Sequence, residues 1–555
     1  MISPRLPVLF LLSVVLAVEP TFGQPILFRD AADEWQLVFH HRHGGSGRRF
    51  MQETTAGGLI LFDFDGDGDV DVLFVDGGPL PGYEGVAPRT RLFRNEGNGT
   101  FVDVTDRSGV AVSLYGFGGT AGDVDGDGDP DLYLTAYGPN HLFRNNGDGS
   151  FTDITEDTGV GGDQYSASSA FADTDRDGDL DLYVVNYLQY PIENPKICRD
   201  RDKGVEAFCH PTLFPGEQDR FYRNRGDGTF EDATDAAGFA TATGNGLGLA
   251  FADFDNDRWP DLYVANDSTP NFLFRNKGDG SFEDLSLISG TAYGDRVVPE
   301  AGMGVAIGDV DGNGFLDLLV TNYALETNAL YRNFGSGVFA DARHLYGVAE
   351  PSIVNLGFGA TFADFDLDGD LDLAIANGHI QDNIEIMHPG LTYSQRNQLL
   401  LNDGKGRFEE CSDCGLDLVR VSRALAAGDL DGDGDLDLVI VNADDLAEVY
   451  ENSGSQAGGW LLLDLADPTT MAAGIGARLT LVTTGLEQTR EVHTASSFQS
   501  QSPLTTHFGT GGAQTIEELR IHWPSGVRQV LRGLTPRQRY SQIQSRLSAG
   551  SPAKR

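Results

Sequence analysis

Asp63-Phe64-Asp65-Gly66-Asp67-Gly68-Asp69-Val70-Asp71 is the stretch on which the reading of this chain turns, because its pattern, D-x-D-x-D-G-x-x-D, occurs seven times. Carboxylates at alternate positions of a tight loop direct hard oxygens at one point. Such a point suits Ca2+, which takes about six to eight oxygen ligands in irregular geometry. Positions 1, 3 and 5 are expected to give side-chain oxygens, position 7 its backbone carbonyl, and position 9 both oxygens of its carboxylate. Glycine at position 6 supplies the sharp turn. An EF-hand closes with Glu at position 12 and leaves into a helix. Here Asp closes at position 9 and a β-like apolar run follows, as in Asp131-Leu132-Tyr133-Leu134 and Asp437-Leu438-Val439-Ile440. One copy could be a solvated acidic turn; seven copies at matching places argue for metal.

The expected ligand positions are Asp63, Asp65, Asp67, Asp69 and Asp71 in the first loop and Asp123, Asp125, Asp127, Asp129 and Asp131 in the second. The third offers Asp173, Asp175, Asp177, Asp179 and Asp181, and the fourth Asp253, Asp255, Asp257, Trp259 and Asp261. The fifth offers Asp309, Asp311, Asn313, Phe315 and Asp317, the sixth Asp364, Asp366, Asp368, Asp370 and Asp372, and the seventh Asp429, Asp431, Asp433, Asp435 and Asp437. Two loops depart from the pattern. Arg258 stands at the glycine position of the fourth, where a side chain is strained at positive φ, so this site is expected to be the weakest. Asn313 removes one charge from the fifth.

A second element follows the loops, first seen as Leu92-Phe93-Arg94-Asn95-Glu96-Gly97-Asn98-Gly99-Thr100-Phe101. Its Asn recurs at 145, 224, 276, 333 and 402, each with a Phe six residues on. Asn-x-Gly-x-Gly between alternating runs is a hairpin turn, so each unit has four strands. In the second unit these are Gly118-Gly119-Thr120-Ala121-Gly122, Leu132-Tyr133-Leu134, Leu142-Phe143-Arg144 and Phe151-Thr152-Asp153-Ile154. Repeats of roughly this length with four strands are propeller blades. The seventh unit stops after Glu448-Val449-Tyr450-Glu451-Asn452, and the strand it lacks is spelled near the other terminus as Phe28-Arg29-Asp30. The expected fold is all-β: a seven-bladed propeller over 24–456, closed by 28–30, with a small antiparallel β domain over 457–545. That domain is read from alternating runs at 460–465, 477–482, 490–494 and 516–522.

Residues 1–23 read as a secretory signal, with Arg5 before an apolar run over 6–18 that is short for a bilayer span. Export would place the protein where Ca2+ is abundant and disulfides persist. Cys198, Cys209, Cys411 and Cys414 are then expected to form two disulfides; neighbour pairing is the simplest of three choices. The tail over 546–555 reads as disordered. Insertions at 188–219, 286–300 and 378–397 are rim loops, where propellers commonly bind. His40, His41, His43 and His379 could form a metal or acid–base site, but are read as solvated or hydrogen-bonded loop residues.

The seven units resemble FG-GAP/VCBS repeats, the blades of integrin α-subunit propellers. The Phe-Gly signature stands at Phe117-Gly118 and Phe358-Gly359 and is degraded at Leu247-Gly248 and Met303-Gly304. The C-terminal stretch resembles the ASPIC/UnbV domain through Gly474-Ile475-Gly476-Ala477-Arg478, His507-Phe508-Gly509 and Trp523-Pro524-Ser525-Gly526. The combination is similar to the cartilage acidic protein family and its bacterial relatives. The resemblance implies an extracellular calcium-binding propeller and no settled biochemical activity.

The preferred reading is a secreted binding or adhesion protein for an extracellular protein or glycan, not an enzyme. The alternative is a carbohydrate-active or oxidative enzyme using a rim-loop site. The sequence shows no nucleophile elbow, zinc-protease helix or nucleotide loop. RNA binding needs clustered cations, whereas this chain has 39 Lys and Arg against 83 Asp and Glu, a formal charge of −44.

Overall fold

The computed structural model describes residues 26–55, 57–112, 114–454, 458–467 and 474–544. The readings of a signal segment and of a polar tail lie outside the described residues. Among those residues are seven antiparallel sheets of four repeat strands. In the second sheet the strands are Gly116–Gly122, Asp131–Ala136, His141–Asn145 and Phe151–Asp153. Their burial follows from position. The first two strands are buried throughout, because they are enclosed on both faces. The fourth buries only Phe151 and leaves Thr152 and Asp153 exposed, as an outer edge must.

The first strand of each sheet lies beside the first strand of the next, and that of the seventh sheet lies beside that of the first. The sheets are therefore the blades of a β-propeller. The inner strands approach closely enough to exclude side chains. A Cβ on Gly304 would sit 2.0 Å from the Phe358 carbonyl oxygen, and one on Gly248 would sit 2.2 Å from that of Met303. The glycines of the degraded Phe-Gly signature are thus required by packing.

The seventh blade consists of Ser422–Gly428, Asp437–Asn442, Glu448–Asn452 and, from the N-terminal part of the chain, Phe28–Asp30. Phe28 pairs with Asn452, Arg29 with Glu451 and Asp30 with Tyr450. Phe28 is buried against Phe365 and Tyr450, with ring centroids 5.8 and 6.2 Å away. Replacing Phe28 with Ala is expected to cost about 3–5 kcal/mol, read as a lower denaturation midpoint, whereas Arg29→Ala should cost under about 1 kcal/mol because its ion pairs are partly exposed. Equal effects would mean that the strand is held by its backbone alone.

Antiparallel alternation sorts the connections. Strand 1–2 and strand 3–4 turns fall on one face, which carries the Asp loops. Strand 2–3 connections and blade-to-blade connections fall on the other, here called the open face. The insertions at 188–219, 286–300 and 378–397 all belong to the open face. Cys198 is bonded to Cys209 within the first of them, and Cys411 to Cys414.

The C-terminal residues build a three-stranded sheet and a four-stranded sheet. Its strand Gly459–Ala466 pairs parallel with Gln538–Ile543, a departure from the all-antiparallel expectation; apolar alternation has no direction and cannot encode this. The run expected over 490–494 ends as a strand at Glu491. From there the chain enters the propeller axis. Phe498 is fully buried with Phe117, Leu247, Met303 and Phe358 at the open-face ends of the inner strands.

Candidate metal centres

Each Asp loop is shaped by its own backbone. In the first, Asp63 accepts from the Gly66 and Gly68 amides at 2.8 and 2.9 Å, and Asp67 accepts from the Asp69 amide at 3.0 Å. These bonds need positive φ at Gly66 and Gly68, which are at 74° and 94°. The loop brings one oxygen each from Asp63, Asp65 and Asp71 within 4.8 Å of one another. The same holds for Asp123, Asp125 and Asp127, for Asp173, Asp175 and Asp177, for Asp253, Asp255 and Asp261, and for Asp309, Asp311 and Asp317. In these five loops positions 1 and 3 converge, joined by 5 or by 9.

Position 9 does more than close the loop. Asp71 accepts from the Phe64 amide at 3.0 Å through one oxygen and from the Asn95 amide at 2.7 Å through the other. Each oxygen accepts one hydrogen bond and keeps a lone pair, so position 9 orders the loop while its carboxylate remains available to an ion, one Asp71 oxygen lying within 4.8 Å of those of Asp63 and Asp65. Burial, reinforced by the neighbouring carboxylates, pushes Asp71, Asp131, Asp181 and Asp317 up to about 8.

The donor set fits Ca2+ on an independent observation. The Oδ1 atoms of Asp65, Asp125, Asp173, Asp253 and Asp364 are buried and have no hydrogen-bond partner. Such oxygens are costly to bury, and all five belong to positions 1 or 3 of separate loops. A cation at the convergence point would satisfy them.

The fourth loop keeps the backbone of the others despite its side chains. Arg258 sits at φ 77° and Asn256 at 62°, and the Arg258 amide donates to Asp253 at 2.8 Å as glycine does elsewhere. Arg258→Gly is expected to stabilise the calcium-free protein by about 1 kcal/mol and to tighten this site; a looser site in a calcium titration would contradict the strain argument.

The repeated asparagines have a role beyond the turn. The Asn95 amide nitrogen donates to the carbonyls of Val70 in its own loop and of Leu430 in the preceding blade's loop. Asn145 reaches Phe64, Asn224 Val124, Asn276 Thr174, Asn333 Phe254, Asn402 Val310 and Asn452 Phe365. Each asparagine thus ties its blade to the neighbouring Asp loop, and the chain of ties runs round the whole ring. Recurrence in every unit was the available signal; the partner lies too far away in sequence to be read.

The C-terminal residues cover this face. Glu491 accepts from the Asp253 amide at 2.9 Å, and Asp364 from the Gly509 amide at 2.9 Å. The His507 ring meets the Gly434 carbonyl at 3.1 Å, and Arg478 and Arg539 donate to the carbonyls of Gly314 and Gly68. Half-buried Arg490 lies in the field of Asp364, Asp309 and Asp370.

The four histidines lie on the open face. His41 and His379 are fully buried; each accepts an amide at Nδ1, from Asp444 and Gln381. Burial lowers both, His379 to about 3, so they are neutral. The His43 Nδ1 accepts from Gly45.

A family model described as FG-GAP-like repeat matches residues 63–134, 123–184, 208–264, 253–320, 309–375 and 390–471. One described as ASPIC and UnbV matches 468–548. The chain is similar to cartilage acidic protein 1 of Xenopus tropicalis, 27% identical over 296 residues covering 51% of this chain and 42% of that protein. The human protein of the same name is 25% identical over 328 residues, covering 55% and 44%. The matches span under half the length of these relatives. Among solved structures, an Agrocybe aegerita lectin described as recognising non-reducing terminal N-acetylglucosamine aligns with TM-score 0.39 and 17% identity, covering 66% of this chain and 88% of the lectin.

Proposed function

We propose, from the premise that this chain belongs to the FG-GAP-like repeat family and ends in an ASPIC and UnbV domain, that it is a secreted, calcium-stabilised propeller that binds an extracellular protein or glycan through its open face. The observation that carries this reading is the division of labour between the faces. One face holds the Asp loops under the C-terminal domain, and the other presents long insertions, one of them braced by the Cys198–Cys209 disulfide. Positions 1, 3, 5 and 9 and the carbonyl at 7 would hold the ions. Bound Ca2+ would neutralise carboxylates that otherwise repel, and would fix each loop for its asparagine tie. Binding and not catalysis is the activity proposed. Two disulfides and relatives called cartilage acidic protein support an extracellular setting. No helix among the described residues is long and apolar enough to cross a membrane.

The test is to screen the calcium-loaded protein against a glycan array and extracellular-matrix proteins, beside a variant in which residues 199–208 are replaced by a Gly-Ser linker. Binding by the intact protein that the variant loses supports the reading. Equal binding by both would move the site off this face, and release of product from a polysaccharide would favour an enzyme.

A further inference from the structure

The open face holds a cavity of about 420 Å³ at the mouth of the propeller axis. Its floor is Leu247, Met303 and Phe358 from the inner ends of three blades, with Phe498 packed against Phe358 from below at 4.9 Å between ring centroids. Met51, Tyr187 and Tyr323 add to its walls, and the disulfide loop that includes Cys198 and Cys209 flanks it. Three carboxylates belong to the lining: Asp200 on the disulfide loop, Asp267 and Glu326. Asp267 follows the second strand of its blade, and accepts from the Tyr187 hydroxyl at 2.7 Å and the Ser268 hydroxyl at 2.8 Å. Glu326 occupies the corresponding connection of the next blade and accepts from the Ala301 amide at 2.8 Å.

Among the described residues neither Asp267 nor Glu326 has an ion-pair partner. Arg199, Arg201 and His210 also belong to the lining, on the disulfide loop and just after it, and His210 contributes a field at Asp267. Arg199 and Arg201 are exposed, with Arg199 paired to Glu206 at 3.0 Å, and His210 is exposed too. The Arg423 guanidinium stacks on Phe358 at 4.1 Å and donates to the backbone carbonyls of Thr54, Gly378 and Ser422. The cavity therefore combines aromatic rings and thioethers with Asp267 and Glu326, two carboxylates that make no ion pair among the described residues.

We infer that this cavity is a binding site for a small organic ammonium ion. A cation desolvated against ring faces is attracted by their quadrupoles, and the carboxylates at the wall supply the counter-charge. An apolar, largely preformed cavity of this size with few converging polar groups is the usual form of a small-molecule site. The ammonium could come from a free quaternary amine, an amino sugar or a lysine side chain of a bound protein. The inference rests on the open face being the binding face and is independent of what the Asp loops hold.

The experiment is calorimetric titration of the full-length, calcium-saturated protein with choline, glucosamine and N-acetyl-lysinamide. Its uncharged control is 3,3-dimethylbutan-1-ol, which has the shape of choline without the charge. At least one ammonium probe is expected to bind saturably, at least ~10-fold more tightly than the control where choline is that probe. Which probe binds tightest identifies the source of the ammonium. Asp267→Asn and Glu326→Gln, each shown by thermal melt to be folded, are each expected to weaken it at least ~10-fold. Binding of choline and the neutral alcohol with equal strength, undiminished binding by both variants, or no binding of any ammonium probe at millimolar concentration would overturn the inference. Loss of macromolecular binding with the ammonium site intact would sink the wider reading alone.

Discussion

Excess chelator will lower the melting temperature of this protein by on the order of 10 °C or more, and Ca2+ will restore it where Mg2+ restores little. A ligand bound only by the folded state stabilises it by about 3 kcal/mol per site at a hundred times its dissociation constant. Several such sites acting together give a shift of this size in a chain of several hundred residues. Mg2+ demands compact octahedral geometry and keeps its waters, which loops of this width do not enforce. The effect has a pH signature. Asp71, Asp131, Asp181 and Asp317 titrate at about 8 in the calcium-free fold, against about 4 for an unfolded chain. The fold then holds these protons more tightly than the unfolded chain does. Their contribution is full below about pH 4 and is lost as pH rises to about 8. Chelated protein should accordingly melt higher at pH 5.5 than at pH 8. Calcium-loaded protein should not, because protons compete with the ion. Melts that superimpose with and without chelator at pH 8 would rule out structural calcium.

What could be read from the sequence was what is encoded locally. The Asp loops, the Asn-x-Gly-x-Gly turns and the alternating runs each announce a strand boundary within a few residues, and together they yield an all-β propeller. The interactions that join the units were not legible in this way. Asn95 presents itself as a turn residue, and nothing near it names Leu430 as its second partner. The open-face cavity is assembled from residues as distant as Met51, Leu247 and Met387. The segment around Ser496, Ser497, Gln499, Ser500 and Gln501 is the clearest case. Its composition is polar, yet all five are buried, and Ser497 and Gln501 turn their side chains to backbone groups of the inner strands. A polar segment can be interior when the interior offers unpaired amides and carbonyls.

That segment is the source of the second large effect: the propeller will not tolerate loss of the C-terminal domain. Ser497 exchanges both backbone bonds with Val305, and the Leu59 amide donates to the Gln499 carbonyl at 3.2 Å. The Gln501 side chain accepts from the Thr120 hydroxyl and the Ala121 amide, each at 2.8 Å, and donates to the Ala121 carbonyl at 3.2 Å. Thr494 bonds to both backbone groups of Phe171, and Ser497 and Ser502 accept from Ala360 and Ala427. Six of the seven inner strands thus complete their polar groups on one strand of chain, and leaving such groups buried and unpaired costs about 1–3 kcal/mol each. Phe498 adds an apolar anchor with no exposed surface. Phe498→Ala alone should cost about 3–5 kcal/mol. A chain ending at residue 454 should lose far more, yielding aggregated protein or a melt below that of the chelated full-length form. Gln501→Leu is the intermediate arm: it keeps the volume but abandons three hydrogen bonds. Melts and size-exclusion profiles of the three variants should rank truncation worst. A monomeric truncation with an unchanged melt would mean that the inner strands close the axis without help and that the segment merely occupies it.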